Sequence, residues 1–201
     1  FLETHYRAPE IFIGHSLGGT AAIVAASRYP HVKAVSTINS PCHPKHVAHH
    51  FKDLHDQILW TGEADVDISG RTFKIRKHFL EDLEAIDMTK VFSDLNAALL
   101  VFHAPGDTTV NITNASSIFE LAHHPKSFIS LDAADHLIRD RKDGDFIAAS
   151  ILAWSTRYIN FMGEATLEAD EGVVKVVETD EGLYTNRVYT GKHILRADEP
   201  V

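Results

Sequence analysis

The feature that most constrains this chain lies close to its beginning. A short β-branched and aromatic run, Glu10 to Gly14, passes without a loop into the Ala-rich stretch that ends before Pro30, and the turn between them reads Gly14-His15-Ser16-Leu17-Gly18, followed by Gly19. The first part has the composition of a buried strand and the second that of a helix. A chain that reverses from strand to helix in so few residues needs small residues where the two backbones approach, and Gly14 and Gly18 are expected to meet that need. The alternation continues. Strands are expected in "HVKAVSTIN", "ALLVFHAPGD" and "KSFISLDAAD", and helices in "NASSIFELAHH" and "DFIAASILAWSTRYI". Strands alternating with helices imply βαβ units, and so an α/β fold with a mainly parallel sheet covered on both faces.

Two segments depart from this rhythm. Residues 41–96 separate two core strands by far more than a plain connection needs, so they are expected to form a lid. Within them "FKDLHDQILW" and "HFLEDLEAIDM" have helical spacing, and "VDISGRTFKI" alternates around Ser69-Gly70 as a hairpin does. After Met162 the style changes again. "GVVKVVETDEGLYTNRVYTGKH" alternates strictly about Asp180-Glu181-Gly182 and is expected to form a two-stranded antiparallel hairpin, placing a domain boundary between 162 and 170. A lone hairpin buries too little to stand alone, so residues 171–201 are expected to be the start of a second domain.

Charge narrows the class of partner. With 28 Asp and Glu against 19 Lys and Arg, the net charge of -9 argues against a nucleic-acid ligand, which draws on clustered cations. No apolar run has the roughly 20 residues of a membrane helix, and no secretory signal is visible. A single cysteine, Cys42, excludes an internal disulfide and fits a cytoplasmic setting.

The turn at Ser16 has the pattern Gly-x-Ser-x-Gly in its strand-before, helix-after context, which is the arrangement that exposes a nucleophilic serine. The helix start behind it offers the Leu17 N–H to a developing oxyanion. A serine nucleophile needs a base, and the base needs an orienting carboxylate. Asp107 follows one expected strand and His136 the next, so both are expected at the sheet edge that holds Ser16. Asp135 competes with Asp107 for the carboxylate role but reads as a turn or capping residue. The run "CHPKHVAHHFKDLH" has spacings a metal could use, with His46 and His50 on one helix face. It lacks a carboxylate-anchored motif and falls in the lid. His15, His43 and His46 are therefore kept as lid or substrate-contact candidates, His15 reading more as a packing than a catalytic residue of the elbow, and no metal is called for. Cys42 reads as a half-buried lid residue.

"IGHSLGGTAA", "HAPGDTTV" and "AADHLI" resemble the back half of an α/β-hydrolase, near its esterase and serine-aminopeptidase-like branch. "GKHILRADEP" and the alternating run before it resemble the start of an OsmC-like domain. The chain as a whole is similar to bacterial proteins that fuse the two. The resemblance implies a partial α/β-hydrolase fold over 1–162 with an inserted lid, lacking its N-terminal strands, followed by a truncated α+β domain. It implies a triad of Ser16, Asp107 and His136, an ester, thioester or small amide as substrate, and no cofactor. It also implies peroxide chemistry on cysteines beyond Val201 and a homodimer through the complete OsmC-like domain. A hydrolase needs a second oxyanion donor from a loop ahead of the elbow, and "FLETHYRAPE" carries no such motif. An alternative is therefore a catalytically silent hydrolase-fold module that serves the peroxide-reducing part.

Overall fold

The computed structural model describes residues 8–45, 52–68, 71–160, 172–178, 185–191 and 193–197. The chain divides into two units, Phe1–Ile159 and Asn160–Val201.

In the first unit, strands β1 (Ile11–His15), β2 (Ala34–Ile38), β5 (Ala98–His103) and β6 (Lys126–Ser130) form a sheet in the order β1-β2-β5-β6. All three pairings are parallel. Such a sheet must be covered on both faces, and β5 shows how. Leu99 and Val101 point into one core with Ile23 of α1 (Leu17–Ala26), Phe92 of α4 (Met88–Asp94) and Ile118 of α5 (Thr113–Leu121). Leu100 and Phe102 point the other way, onto Ile147 and Ile151 of α6 (Arg141–Ser155). The two-residue side-chain period of a strand accounts for this division. α4 starts on an Asp87 cap, whose carboxylate accepts from the Thr89 and Lys90 N–H groups, and α6 starts on Asp140 in the same way.

Between β2 and α4 lies the inserted segment. α2 (Lys52–Thr61), the antiparallel pair β3 (Glu63–Ile68) and β4 (Arg71–Arg76), and α3 (Lys77–Ala85) share a small core of their own around Ile58, Ala64, Val66 and Leu80. The expected hairpin residues Ser69 and Gly70 lie outside the described residues. Of the stretch 41–96 expected to form a lid, α4 packs in the core of the main sheet instead, through Met88, Val91 and Phe92. Apolar spacing alone cannot say which core a helix joins.

The second unit contains β7 (Val174–Glu178), β8 (Asn186–Thr190) and β9 (His193–Ala197) in an antiparallel sheet. The expectation of a two-stranded hairpin is corrected by β9. Positive φ at Gly191 (53°) turns the chain back directly after β8 and adds a third strand. The expected turn at Asp180-Glu181-Gly182 lies outside the described residues.

The crossing of β1 and α1 is the tightest point described. A Cβ on Gly14 would fall on the Gly18 carbonyl and 2.5 Å from the Gly19 Cα, and one on Gly19 would run into the Ser40 side chain and come 2.9 Å from the Gly14 carbonyl oxygen. Gly18 has nothing within 4 Å of its own Cβ position. The glycines that permit the crossing are therefore Gly14 and Gly19, and the expectation for Gly18 is corrected. Overpacking against backbone has no flexible end to yield, so Gly14→Ala is expected to lower stability by about 3 kcal/mol or more. Gly18→Ala, inside a helix, is expected to raise it by up to about 1 kcal/mol. Urea unfolding of the two variants checks this; equal effects would contradict it.

Candidate active site

Parallel strands bring their carboxyl ends to one edge, and in register Gly14 pairs with Thr37, Thr37 with Val101, and Val101 with Phe128. The segments leaving β1, β5 and β6 therefore emerge side by side. Ser16 leaves β1 with φ 52° and ψ -131°, a backbone conformation that a residue with a Cβ adopts only under constraint. Its N–H donates to the Ile38 carbonyl at 2.9 Å and its own carbonyl accepts from the Gly19 N–H at 2.9 Å. These bonds hold the side chain up from the sheet edge at the point where α1 begins. Leu17 is the first residue of that helix, where N–H groups have no acceptor within the helix itself.

Asp107 lies in the loop after β5 with a fully buried side chain. One oxygen, Oδ1, accepts from the Thr109 and Val110 N–H groups at 2.8 and 2.9 Å. The other, Oδ2, accepts from His136 Nδ1 at 2.7 Å. Burial by itself would raise the pKa of this carboxyl. The bonds from Val110, His136 and Thr109 outweigh it and hold the group below the usual carboxylate range. An ionised Asp107 fixes the proton of His136 on Nδ1, so Nε2 presents its lone pair. Nε2 lies 3.1 Å from Ser16 Oγ. The three side chains singled out in the sequence thus form one hydrogen-bonded line, Asp107–His136–Ser16.

The other candidates separate. His15 is exposed, its ring lies 5.1 Å from that of His136, and its Nε2 donates to the His136 carbonyl at 2.6 Å. Asp135 accepts from the Arg139 N–H at 3.0 Å and pairs with the Arg139 guanidinium at 3.2 Å, so it caps the turn that follows it. His43 is exposed on the segment leaving β2. His46 and His50 lie outside the described residues. Among the described residues no group of three or more His, Cys, Asp or Glu is placed to hold a metal ion. Cys42 is corrected from half-buried to buried: at 1% exposure it belongs to the sheet's core, and its N–H donates to Asn114 Oδ1 at 3.1 Å. Burial pushes its thiol up to about 11.

Two buried polar residues were not anticipated. His103, at the end of β5, donates from Nε2 to the Val110 carbonyl at 2.8 Å and stands 4.0 Å from Asp107 Oδ2. Burial lowers its pKa against the opposing pull of the Val110 carbonyl and the Asp107 charge, which keeps a second cation away from the carboxylate. Asn39, at the end of β2, is fully buried and bonds to both the Asp107 and His136 loops. Both contacts join residues whose chain positions give no hint of them. A polar residue at the carboxyl end of a core strand was the available signal. An apolar hollow of about 340 Å³ begins at Leu17 and runs between α1 and α3, lined by Thr20, Val24, Phe79, Leu83 and Ile86.

Comparison with known proteins agrees with this architecture. No family model and no curated protein matches the chain. Among solved structures, the esterase domain of a Rhodothermus marinus protein is 43% identical, with a TM-score of 0.67 over 79% of this chain. Mouse α/β-hydrolase domain-containing protein 10 is 19% identical with a TM-score of 0.61 over 78% of this chain. The α/β-hydrolase GrgF from Penicillium sp. sh18 is 14% identical, with a TM-score of 0.58 over 75%. The chain spans 65%, 65% and 64% of these three structures, respectively. The fold is that of the α/β-hydrolases, and the neighbours include an esterase domain.

Two outcomes follow from the electrostatics. Asp107 has a folded-state pKa below its unfolded value, so its contribution to stability is present above about pH 4 and is lost as pH falls through the folded value. Urea unfolding at pH 7 and pH 3 is expected to show a larger loss for the wild type than for Asp107→Asn. The buried Cys42 thiol is expected to resist iodoacetamide at pH 8 in the native protein and to react once urea unfolds it. Alkylation at equal rates in both states would contradict its placement.

Proposed function

We propose that the chain is the catalytic part of a serine hydrolase that cleaves an ester, thioester or small amide through an acyl-enzyme on Ser16. The observation that carries the reading is the Ser16–His136–Asp107 line at 3.1 and 2.7 Å. Its likeness to an esterase domain supports it further. In this reading Ser16 Oγ attacks the substrate carbonyl carbon as its proton passes to His136 Nε2. Asp107 stabilises the imidazolium and keeps the ring in the orientation that presents Nε2. The oxygen of the tetrahedral intermediate takes the Leu17 N–H as one donor. His136 returns the proton to the departing alcohol, thiol or amine, and then activates a water that attacks the acyl carbon and releases Ser16.

The hollow between α1 and α3 would take the apolar part of the substrate, since it reaches Leu17, the residue after Ser16, and its lining is mostly aliphatic and aromatic. Pro44 lines that hollow, so its neighbour His43 is proposed as a substrate-side residue, and His46, which lies outside the described residues, is proposed with it on the sequence alone. For residues 171–201 we propose an OsmC-like character, supported by their sequence resemblance and by the antiparallel strands β7–β9, with peroxide chemistry and homodimerisation as the functions of such a domain. A cytoplasmic setting belongs to the same proposal. Among the described residues no helix is long and apolar enough to cross a membrane.

The test is labelling with a fluorophosphonate probe alongside hydrolysis of p-nitrophenyl acetate. Ser16→Ala is expected to abolish labelling and His136→Ala to slow ester hydrolysis by on the order of 10³-fold or more. A folded wild type that takes no label would favour the silent-module reading instead.

A further inference from the structure

The loop that carries His136 is bent against its own preferences. Asp132 and Ile138, on either side of the histidine, have φ of 34° and 52°. The second is β-branched, which makes a left-handed backbone especially unfavourable. A loop strained at both ends relaxes unless something outside it holds the middle. Its other described hydrogen bonds are mostly local: Ala134 to Leu131, Ile138 to Asp135, and Arg139 to the Asp135 carboxylate. They would travel with the loop if it moved.

The middle is held by Asn39. Its Nδ2 donates to the carbonyls of Asp135 at 3.1 Å and His136 at 3.2 Å. Its Oδ1 accepts from the Ala104 N–H at 2.8 Å, the first residue of the loop that leads to Asp107. Its own N–H donates to the Phe102 carbonyl at 3.0 Å. The partners fix the orientation of the amide, because an N–H can face only the oxygen and carbonyls can face only the NH2 group. Asn39 is fully buried and has φ 48°, a conformation that asparagine tolerates better than most residues. One side chain just after β2, the strand beside the one that leads to Ser16, therefore ties the acid loop at one end and the base loop at the other.

We infer that Asn39 is a positioning residue, acting through the Asp135 and His136 carbonyls to set the His136 ring between Asp107 and Ser16. His15 supports the same carbonyl from the exposed side. The inference rests on the hydrolase reading for its catalytic consequence, but the positioning itself has a readout that needs no turnover. The proton on His136 Nδ1, shared with Asp107, gives a downfield signal in proton NMR when the two groups are held together.

Two variants of the full chain test it. Asn39→Gly removes the side chain and suits the left-handed backbone, so the fold is expected to survive. Asn39→Asp keeps the volume and the acceptor for the Ala104 N–H, but turns an acceptor toward two carbonyls. Both are expected to lose or broaden the downfield signal and to slow fluorophosphonate labelling of Ser16 by about 10- to 100-fold, as a displaced catalytic group does. Labelling and signal unchanged in both variants would overturn the inference. So would a loss in both that only tracks the fraction unfolded in a thermal melt. A labelled wild type with unaffected variants leaves the hydrolase reading standing and removes this one. A downfield signal that is lost in both variants, in a protein that Ser16 never labels, does the reverse.

Discussion

The close crossing of β1 and α1 is the constraint on which the rest depends. Only with hydrogen in place of Cβ at Gly14 and Gly19 can the helix start directly over the strand end. The positive φ of Ser16 is the consequence of that crossing, and its bond to the Ile38 carbonyl then fixes the serine relative to β2. Because the sheet is parallel, β2 is also what locates β5, and β5 what locates β6. Ser16, the Asp107 loop and the His136 loop are thus referenced to one another through backbone ladders, with the Asn39 side chain tying the two loops. Local strain at Ser16 is sustained by the large buried core on both sides of the sheet.

A second layer of order is electrostatic. Burying a carboxylate is unfavourable unless its oxygens are supplied with donors, and Asp107 receives two main-chain N–H groups and one ring N–H. His103 closes the same loop by bonding the Val110 carbonyl, while its depressed pKa keeps it neutral. A protonated His103 would compete for Oδ2, the oxygen that orients His136. The fold therefore keeps two imidazoles within reach of one carboxylate and leaves that oxygen to His136 alone, by burying one ring and leaving the other at the sheet edge.

The parts of this arrangement that were legible in the sequence are those set by neighbours in the chain. Strand composition, the glycine turn and the apolar stripe of α6 are local, so the succession of strands and helices along the chain could be read directly. Asp107 and His136 were singled out because each comes soon after a strand, and topology converts that position into a place at the edge. Asn39 and His103 were missed because their partners are far off in sequence or are main-chain atoms, neither of which leaves a compositional trace. Cys42 was misplaced for a related reason. It opens the polar histidine run, yet it lies in the main-sheet core, on the core side of the point where the chain leaves for the cap. The third strand of the second unit escaped notice because the turn before it, at Gly191, is too short to stand out from the alternation around it.

The inserted segment and the sheet that carries the Asp107–His136–Ser16 line have separate cores. Ile58, Val66 and Leu80 pack with one another, not with the residues beneath Ser16, so the cap can change composition without disturbing the Asp107–His136–Ser16 line. The exception is the hollow from Leu17 along α1, where Phe79, Leu83 and Ile86 at helical spacing face Thr20 and Val24. Here the helix that follows Ser16 also forms one wall of the cavity, and α3 with the residue after it forms the other. Bulk added on the α3 wall would narrow this hollow without touching Ile38 or Gly19, the residues that bond to the Ser16 backbone. Substitutions on the α1 wall carry a further cost, because the same helix holds the Gly19 crossing. In the proposed hydrolase, the hollow that would take the apolar part of a substrate is therefore bounded on one side by the inserted segment and on the other by the helix that follows Ser16.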